Sequence, residues 1–149
     1  MKYIVYILLF FPVWVTAQTY KYIGIEDGLS NRRIFNIQKD AQGYMWFLTN
    51  EGMDRYNGKD IKHYQLNKEG NTLDAPIRLG WLYTEPHIGI WVIGKQGRIF
   101  QYDANKDDFR MVYRLPDTSE TISCGYLDRN NNIWLCRKDT VLLLSLIHI

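Results

Sequence analysis

Three tryptophans set the frame of this chain. Trp46, Trp91 and Trp134 recur at intervals of 45 and 43 residues, and each stands six residues after an acidic residue, Asp40, Glu85 and Asp128 in turn. Around them the chain reads DAQGYMWFLTNEGMDRY, EPHIGIWVIGKQGRIFQY and DRNNNIWLCRKDTVLLL, so that acid, turn residues, apolar strand, turn and second strand fall in register. A period of ~40 to 50 residues built of strands alone is what β-propeller blades produce, because each unit buries its apolar face only against its neighbours. The fold class expected is all-β: a partial β-propeller of two four-stranded antiparallel blades and an incomplete third.

A closed ring takes typically ~4 to 8 blades. The 149 residues supply two units and the start of another, so the chain is expected to be a piece of a ring. Aromatic residues make up 15% of it and the formal net charge is +2, which opposes disorder, since disorder needs few aromatics and a large net charge. The same near balance argues against a duplex-binding protein, which needs a clustered cationic stripe to displace counterions from phosphates. Arg32 and Arg33 read as a solvated loop pair, and no nucleic-acid partner is expected.

Residues 1–17 form a separate object. Lys2, an apolar run over 3–15 and the small residue Ala17 are the three regions of a signal peptide, with cleavage after Ala17. The run is short for a membrane span of ~20 residues, and an uncleaved anchor is the alternative. The mature chain, residues 18–143, is expected outside the cytoplasm.

Export bears on the two cysteines, Cys124 and Cys136. With Asn130 and Asn131 at a turn, they face each other across a predicted hairpin. A cross-strand disulfide is one reading in an oxidising compartment. Two small buried apolar side chains is the other, and the simpler.

Strands are predicted over 34–38, 44–49, 53–56 and 61–65 in a first blade spanning about 32–66. Asn57 and Gly58 mark its outer hairpin. The second blade, 77–114, has strands over 77–84, 89–93, 98–102 and 109–113. The third, 121–143, begins with 122–127 and 133–137. Residues 20–25 read as a β-rich opening segment before a turn-like run over 26–31, and 66–76 and 115–120 carry turn chemistry that suits crossings between blades.

A residue at one fixed place in every repeat is best explained as filling the seam between blades. The positions Asp40, Gly43, Trp46, Gly52, Tyr56, Glu85, Trp91, Gly97, Tyr102, Asp128 and Trp134 are therefore assigned to folding, with Gly43, Gly52, Gly58 and Gly97 as turn residues needing positive φ. Asp128, Asn130 and Asn132 alternate like the first donors of a calcium loop. Such a loop requires Gly at its sixth place and Glu at its twelfth, where this chain has Ile133 and Asp139, so no metal is expected. His63, His87 and His148 are isolated in sequence, with no nucleophile in a local motif. Glu26, Asp27, Glu51 and Asp54 could supply an acid and a base only at a separation that sequence does not fix. No catalytic residue and no cofactor is assigned.

The stretch IEDGLSNRRIFNIQKDAQGYMWFLTNEGMDRYNG resembles the opening blade of the two-component regulator propeller repeats. Gly28, Leu29, Ser30, Asp40, Gly43, Trp46, Gly52, Tyr56, Asn57 and Gly58 occupy that pattern's places. Fidelity weakens later: the second unit has Glu85 for the acid and its glycine at Gly89, and the third has Asn130 to Asn132 before Trp134. The resemblance implies a periplasmic sensor of a hybrid two-component histidine kinase, anchored in the inner membrane through downstream segments and dimeric when whole. It also implies an oligosaccharide ligand, with the kinase domain lying beyond this chain. A propeller enzyme acting on polysaccharide and a protein-interaction scaffold are the alternatives.

The last residues, LSLIHI at 144–149, resemble the translation of a transposase-end adapter and are expected to be a non-native tail, the alternative being an ordinary buried strand. His148 falls within them.

Overall fold

The structure, a computed structural model, describes residues 19–66, 79–116 and 121–145. Residues 1–18, where the leader was expected, the greater part of both crossings and residues 146–149 lie outside the described residues.

Among the described residues eleven strands form three antiparallel sheets. The first blade is β1 (Ile34–Lys39), β2 (Met45–Thr49), β3 (Met53–Tyr56) and β4 (Ile61–Tyr64), hydrogen-bonded in chain order. The second is β5 (Leu79–Glu85), β6 (Gly89–Gly94), β7 (Arg98–Asp103) and β8 (Asp108–Arg114), again in chain order. The third comprises β9 (Ile122–Leu127), β10 (Asn132–Arg137) and β11 (Thr140–Ser145). Strand β1 runs beside β5, and β5 beside β9, so the first strand of each blade lies on the inner side of the arc. The result is an open β-propeller arc of two four-stranded blades and a three-stranded one.

The repeat extends to irregularities. Each inner strand carries one register shift, between Ile34 and Asn36, between Leu79 and Trp81, and opposite Cys136 and Arg137 in the third blade. These bulges face the same place on the second strand, two or three residues beyond Trp46, Trp91 and Trp134. A bulge bends and twists its strand, which suits an inner strand that must curve round the ring axis.

The core lies in the seams. Trp46, Leu48, Met53 and Tyr64 of the first blade meet Leu82, Ile90, Val92 and Phe100 of the second. Trp91, Ile93 and Ile99 on the other face of the second blade meet Ile122, Leu127, Ile133 and Leu135 of the third. Trp46 is fully buried and Trp91 is 5% exposed, whereas Trp134 is 39% exposed on a face with no blade against it.

One expectation changes. Residues 20–25 form no strand: they run as irregular chain into a single 3-10 turn, Ile25–Asp27, with Tyr20 and Tyr22 exposed. The segment pairs with no described strand and instead reaches the face of the first blade opposite Trp46, through Lys21 on Tyr56 and, past the turn, Ser30 on Asp54. The Asn57–Gly58 hairpin is a four-residue loop, closed by Asn57 N–H to the Asp60 carbonyl and by the Asn57 side chain accepting from the amides of Lys59 and Asp60. Strand β11 runs past residue 143, with Leu144 paired with Ile133 and Ser145 with Asn132.

Candidate functional site

The acid six residues before each tryptophan has a concrete task. Asp40 accepts hydrogen bonds from the amides of Gln42 and Tyr44 through Oδ1, and from the Trp46 indole N–H at 2.7 Å through Oδ2. Asp128 repeats the arrangement with the amides of Asn130 and Asn132, the Asn132 side chain and the Trp134 indole at 2.8 Å. One carboxylate thus closes the turn and fixes the rotamer of the seam tryptophan. Bonds from Trp134 and Asn132 hold the Asp128 carboxyl down at about 2. These contacts engage both oxygens of Asp128, the first donor of the calcium-like alternation. In the second blade the longer Glu85 does not take this role, and Trp91 donates instead to the Ile88 carbonyl.

The Gly-Leu-Ser turn is tied to the back of the first blade. Asp54, with no exposed surface, accepts from the Ser30 amide at 2.8 Å and the Ser30 hydroxyl at 2.9 Å. The Ser30 hydroxyl also meets Thr49 Oγ1, and Leu29 is buried. His63 is not isolated as its sequence position suggested: its Nδ1 lies 2.7 Å from Asp54 Oδ1. Serine, aspartate and histidine therefore meet, but the serine hydroxyl donates to the carboxylate rather than to the imidazole. A nucleophile activated by a base requires the opposite order, so the cluster acts as a tether. Asp27 holds the Gly24 amide, and Glu51 lies 3.5 Å from the Asn31 amide group, so these acids also serve local turns.

The seam between the first two blades holds the densest polar cluster. Arg55, opposite Trp46 on β3, donates to the Tyr102 hydroxyl and to Asp107 at 3.0 Å, with its guanidinium over the rings of Tyr44 and Trp46. Asp107, at positive φ in the β7–β8 turn, also receives Lys62, Tyr64 and Tyr102. These donors, Lys62 foremost, hold its carboxyl well below the usual range. Burial and the bond to Asp107 push the Tyr64 hydroxyl up. Sequence reading missed this latch, because its members stand 43 to 52 residues apart and meet only once two blades stack.

Above the latch opens a notch of about 310 Å³ between the β1–β2 and β5–β6 turns. Tyr44, Trp46, Arg55, Ile90 and Tyr102 form its walls, and Asp40, Gln42 and Glu85 its mouth. A notch of about 300 Å³ sits at the equivalent place in the next seam, lined by His87, Trp91, Gln101, Arg110 and Asn131.

Cys124 and Cys136 are bonded to each other across β9 and β10, with Cα atoms 4.9 Å apart. The reading of two small buried thiols gives way, since Cys124 is exposed and Cys136 only partly covered. Cys136 stands two residues after Trp134, as the fully buried Leu48 and Ile93 stand after Trp46 and Trp91. The bridge thus lies on the blade face that carries seam contacts elsewhere in the arc.

Fold and turn chemistry together define the class: a β-propeller built from repeated acid–tryptophan blades. Within it, residues 28–51 match the family model described as two component regulator propeller, which places that repeat in the first blade. Two solved structures from B. thetaiotaomicron share the fold. One is the extracellular domain of a protein assigned as a hybrid two-component system, at TM-score 0.65 and 22% identity, covering 86% of this chain and 19% of that one. The other is the extracellular domain of a protein assigned as a one-component system, at TM-score 0.66 and 16% identity, covering 84% and 17%. The chain therefore spans about a fifth of the length of either domain. No curated protein sequence matches it. Among the described residues no helix is long and apolar enough to cross a membrane.

Proposed function

We propose that this chain is the first part of the periplasmic sensing region of a hybrid two-component histidine kinase, and that the ligand sensed is an oligosaccharide. The observation that carries this reading is the regulator-propeller repeat at 28–51 within an arc whose fold matches the extracellular domain of a protein assigned as such a system. The leader at 1–17 and the disulfide both suit an exported chain.

In this reading signalling needs segments beyond the arc. In the whole sensor, a ligand that prefers one arrangement of a dimeric periplasmic assembly shifts its population, and that preference passes through a downstream membrane span to the kinase. Ligand contacts come from turns on one propeller face, because a rigid sheet scaffold presents its loops there. Sequencing the intact gene beyond residue 143 tests the reading: an in-frame membrane span and kinase domain are expected, and an open reading frame without either would overturn it.

A further inference from the structure

We propose that the notch between the first two blades binds a neutral sugar unit at the end of an oligosaccharide, an assignment that rests on the sensory reading above. At about 310 Å³ it falls at the small end of ligand cavities, ~300 to 1,000 Å³, so it accommodates a terminal unit rather than a long chain. Its walls combine aromatic rings with a few convergent polar groups, as small-molecule sites do.

The polar groups divide into two sets. Asp40 and Arg55 are consumed by the turn, Trp46, Tyr102 and Asp107. Gln42, Tyr44 and Glu85 make no side-chain hydrogen bond among the described residues, although all three line the notch. A carboxylate, an amide and a phenol together offer more acceptors than cationic donors. The occupant must donate hydrogen bonds from several positions and offer an apolar face to rings, which describes a pyranose.

Charge selects further. The two carboxylates at the mouth, Asp40 and Glu85, repel an acidic group, and the only cation in the walls is already matched by Asp107. Uronic or sulfated sugars are therefore disfavoured, and a neutral unit fits. The next seam lacks this arrangement: its lining holds no carboxylate and no tyrosine, and its Arg110 is bonded to Gln101. The notch as a shape thus belongs to the propeller seam, while the carboxylate-lined mouth beside tyrosine walls belongs to the first seam.

The test titrates the exported chain with cellobiose, maltose, mannobiose and xylobiose, and with digalacturonate as the acidic counterpart, following tryptophan fluorescence with Trp46 as the reporter in the notch. Saturable binding of at least one neutral disaccharide is expected. Gln42→Ala, on an exposed turn, and Tyr44→Ala should each weaken it about tenfold, with Tyr44→Phe retaining more of the affinity. His87→Ala in the second seam should leave it unchanged. Tighter binding of digalacturonate, or no saturable binding of any disaccharide, overturns the proposal. Neutral binding indifferent to both Gln42→Ala and Tyr44→Ala overturns the notch alone, since the oligosaccharide reading survives it. Failure of the sensory reading is seen separately, in a gene without a kinase.

Discussion

At the scale of single residues, one repeat position performs different work in different blades, so equal substitutions should have unequal effects. Asp40 satisfies two turn amides and a buried indole. Its replacement by alanine leaves the Trp46 N–H buried without a partner and should cost about 2 to 3 kcal/mol, the range for hydrogen bonds to a charged group. Glu85→Ala, at the equivalent place, should stay within about 0.5 kcal/mol, because Trp91 bonds a carbonyl instead. Urea denaturation of the two variants compares them directly, and equal losses would refute this account of the acid–tryptophan spacing. Asp128 adds a pH dependence. Its folded pKa is depressed to about 2 against an unfolded value of ~3.9, so its contribution is fully present above pH ~4 and fades as pH falls toward 2. Acid titration followed by Trp134 indole NMR should show that loss, and Asp128→Asn should remove it.

Elements are fixed by turns, where close approach decides which glycines are replaceable. Gly52 has φ +143, and an added Cβ would lie 2.3 Å from the Tyr64 carbonyl oxygen, a backbone atom that cannot swing aside. Gly43, at φ +93, has open space around it. Gly52→Ala should therefore destabilise by ~3 kcal/mol or more and Gly43→Ala by only ~1, the cost of left-handed backbone alone. Thermal melts of the two variants would check that ranking. In the third blade the bridge closes a loop with a sequence separation of 12, so Cys124→Ser with Cys136→Ser should lower stability by about 2 to 3 kcal/mol. Much of this level was legible in sequence. Counting outward from Asn130 and Asn131 places Cys124 opposite Cys136, as found. The same counting outward from the 57–60 loop sets Asp54 opposite His63, a pairing that sequence contained and that reading the histidine as isolated overlooked. Residues 20–25 misled because β-rich composition says nothing about whether an edge is free. The Arg55–Asp107 latch was illegible, since pattern along one blade does not specify which turn of the next blade reaches it. The notch depends on that same stacking.

For the whole arc, the two ends differ. The back of the first blade is covered in part by its own leading segment through Leu29, the Ser30–Asp54 tether and Lys21 on Tyr56. The third blade presents Tyr126, Trp134, Val141 and Leu143 at 60%, 39%, 61% and 52% exposure, on the side that its predecessors bury. Repeat proteins need such a face capped to stay soluble. The isolated chain should therefore associate with rising concentration, as light scattering would register, and a monomer with a sharp cooperative melt at high concentration would contradict this. Tyr126 and Leu143 flank Trp134 on β9 and β11 without holding a turn. Replacing both with lysine should raise the concentration at which the monomer persists, while changing stability by less than about 1 kcal/mol, because exposed apolar groups are released rather than removed from a core. Trp46→Ala provides the contrast. Its indole is wholly buried against Tyr64, Tyr102 and Phe109, so its loss should cost ~3 to 5 kcal/mol and worsen association by opening the first seam. If the lysine pair destabilised the arc as strongly as Trp46→Ala, the bare face would have to be part of the folded core, and the description of the third blade as an uncapped end would fail.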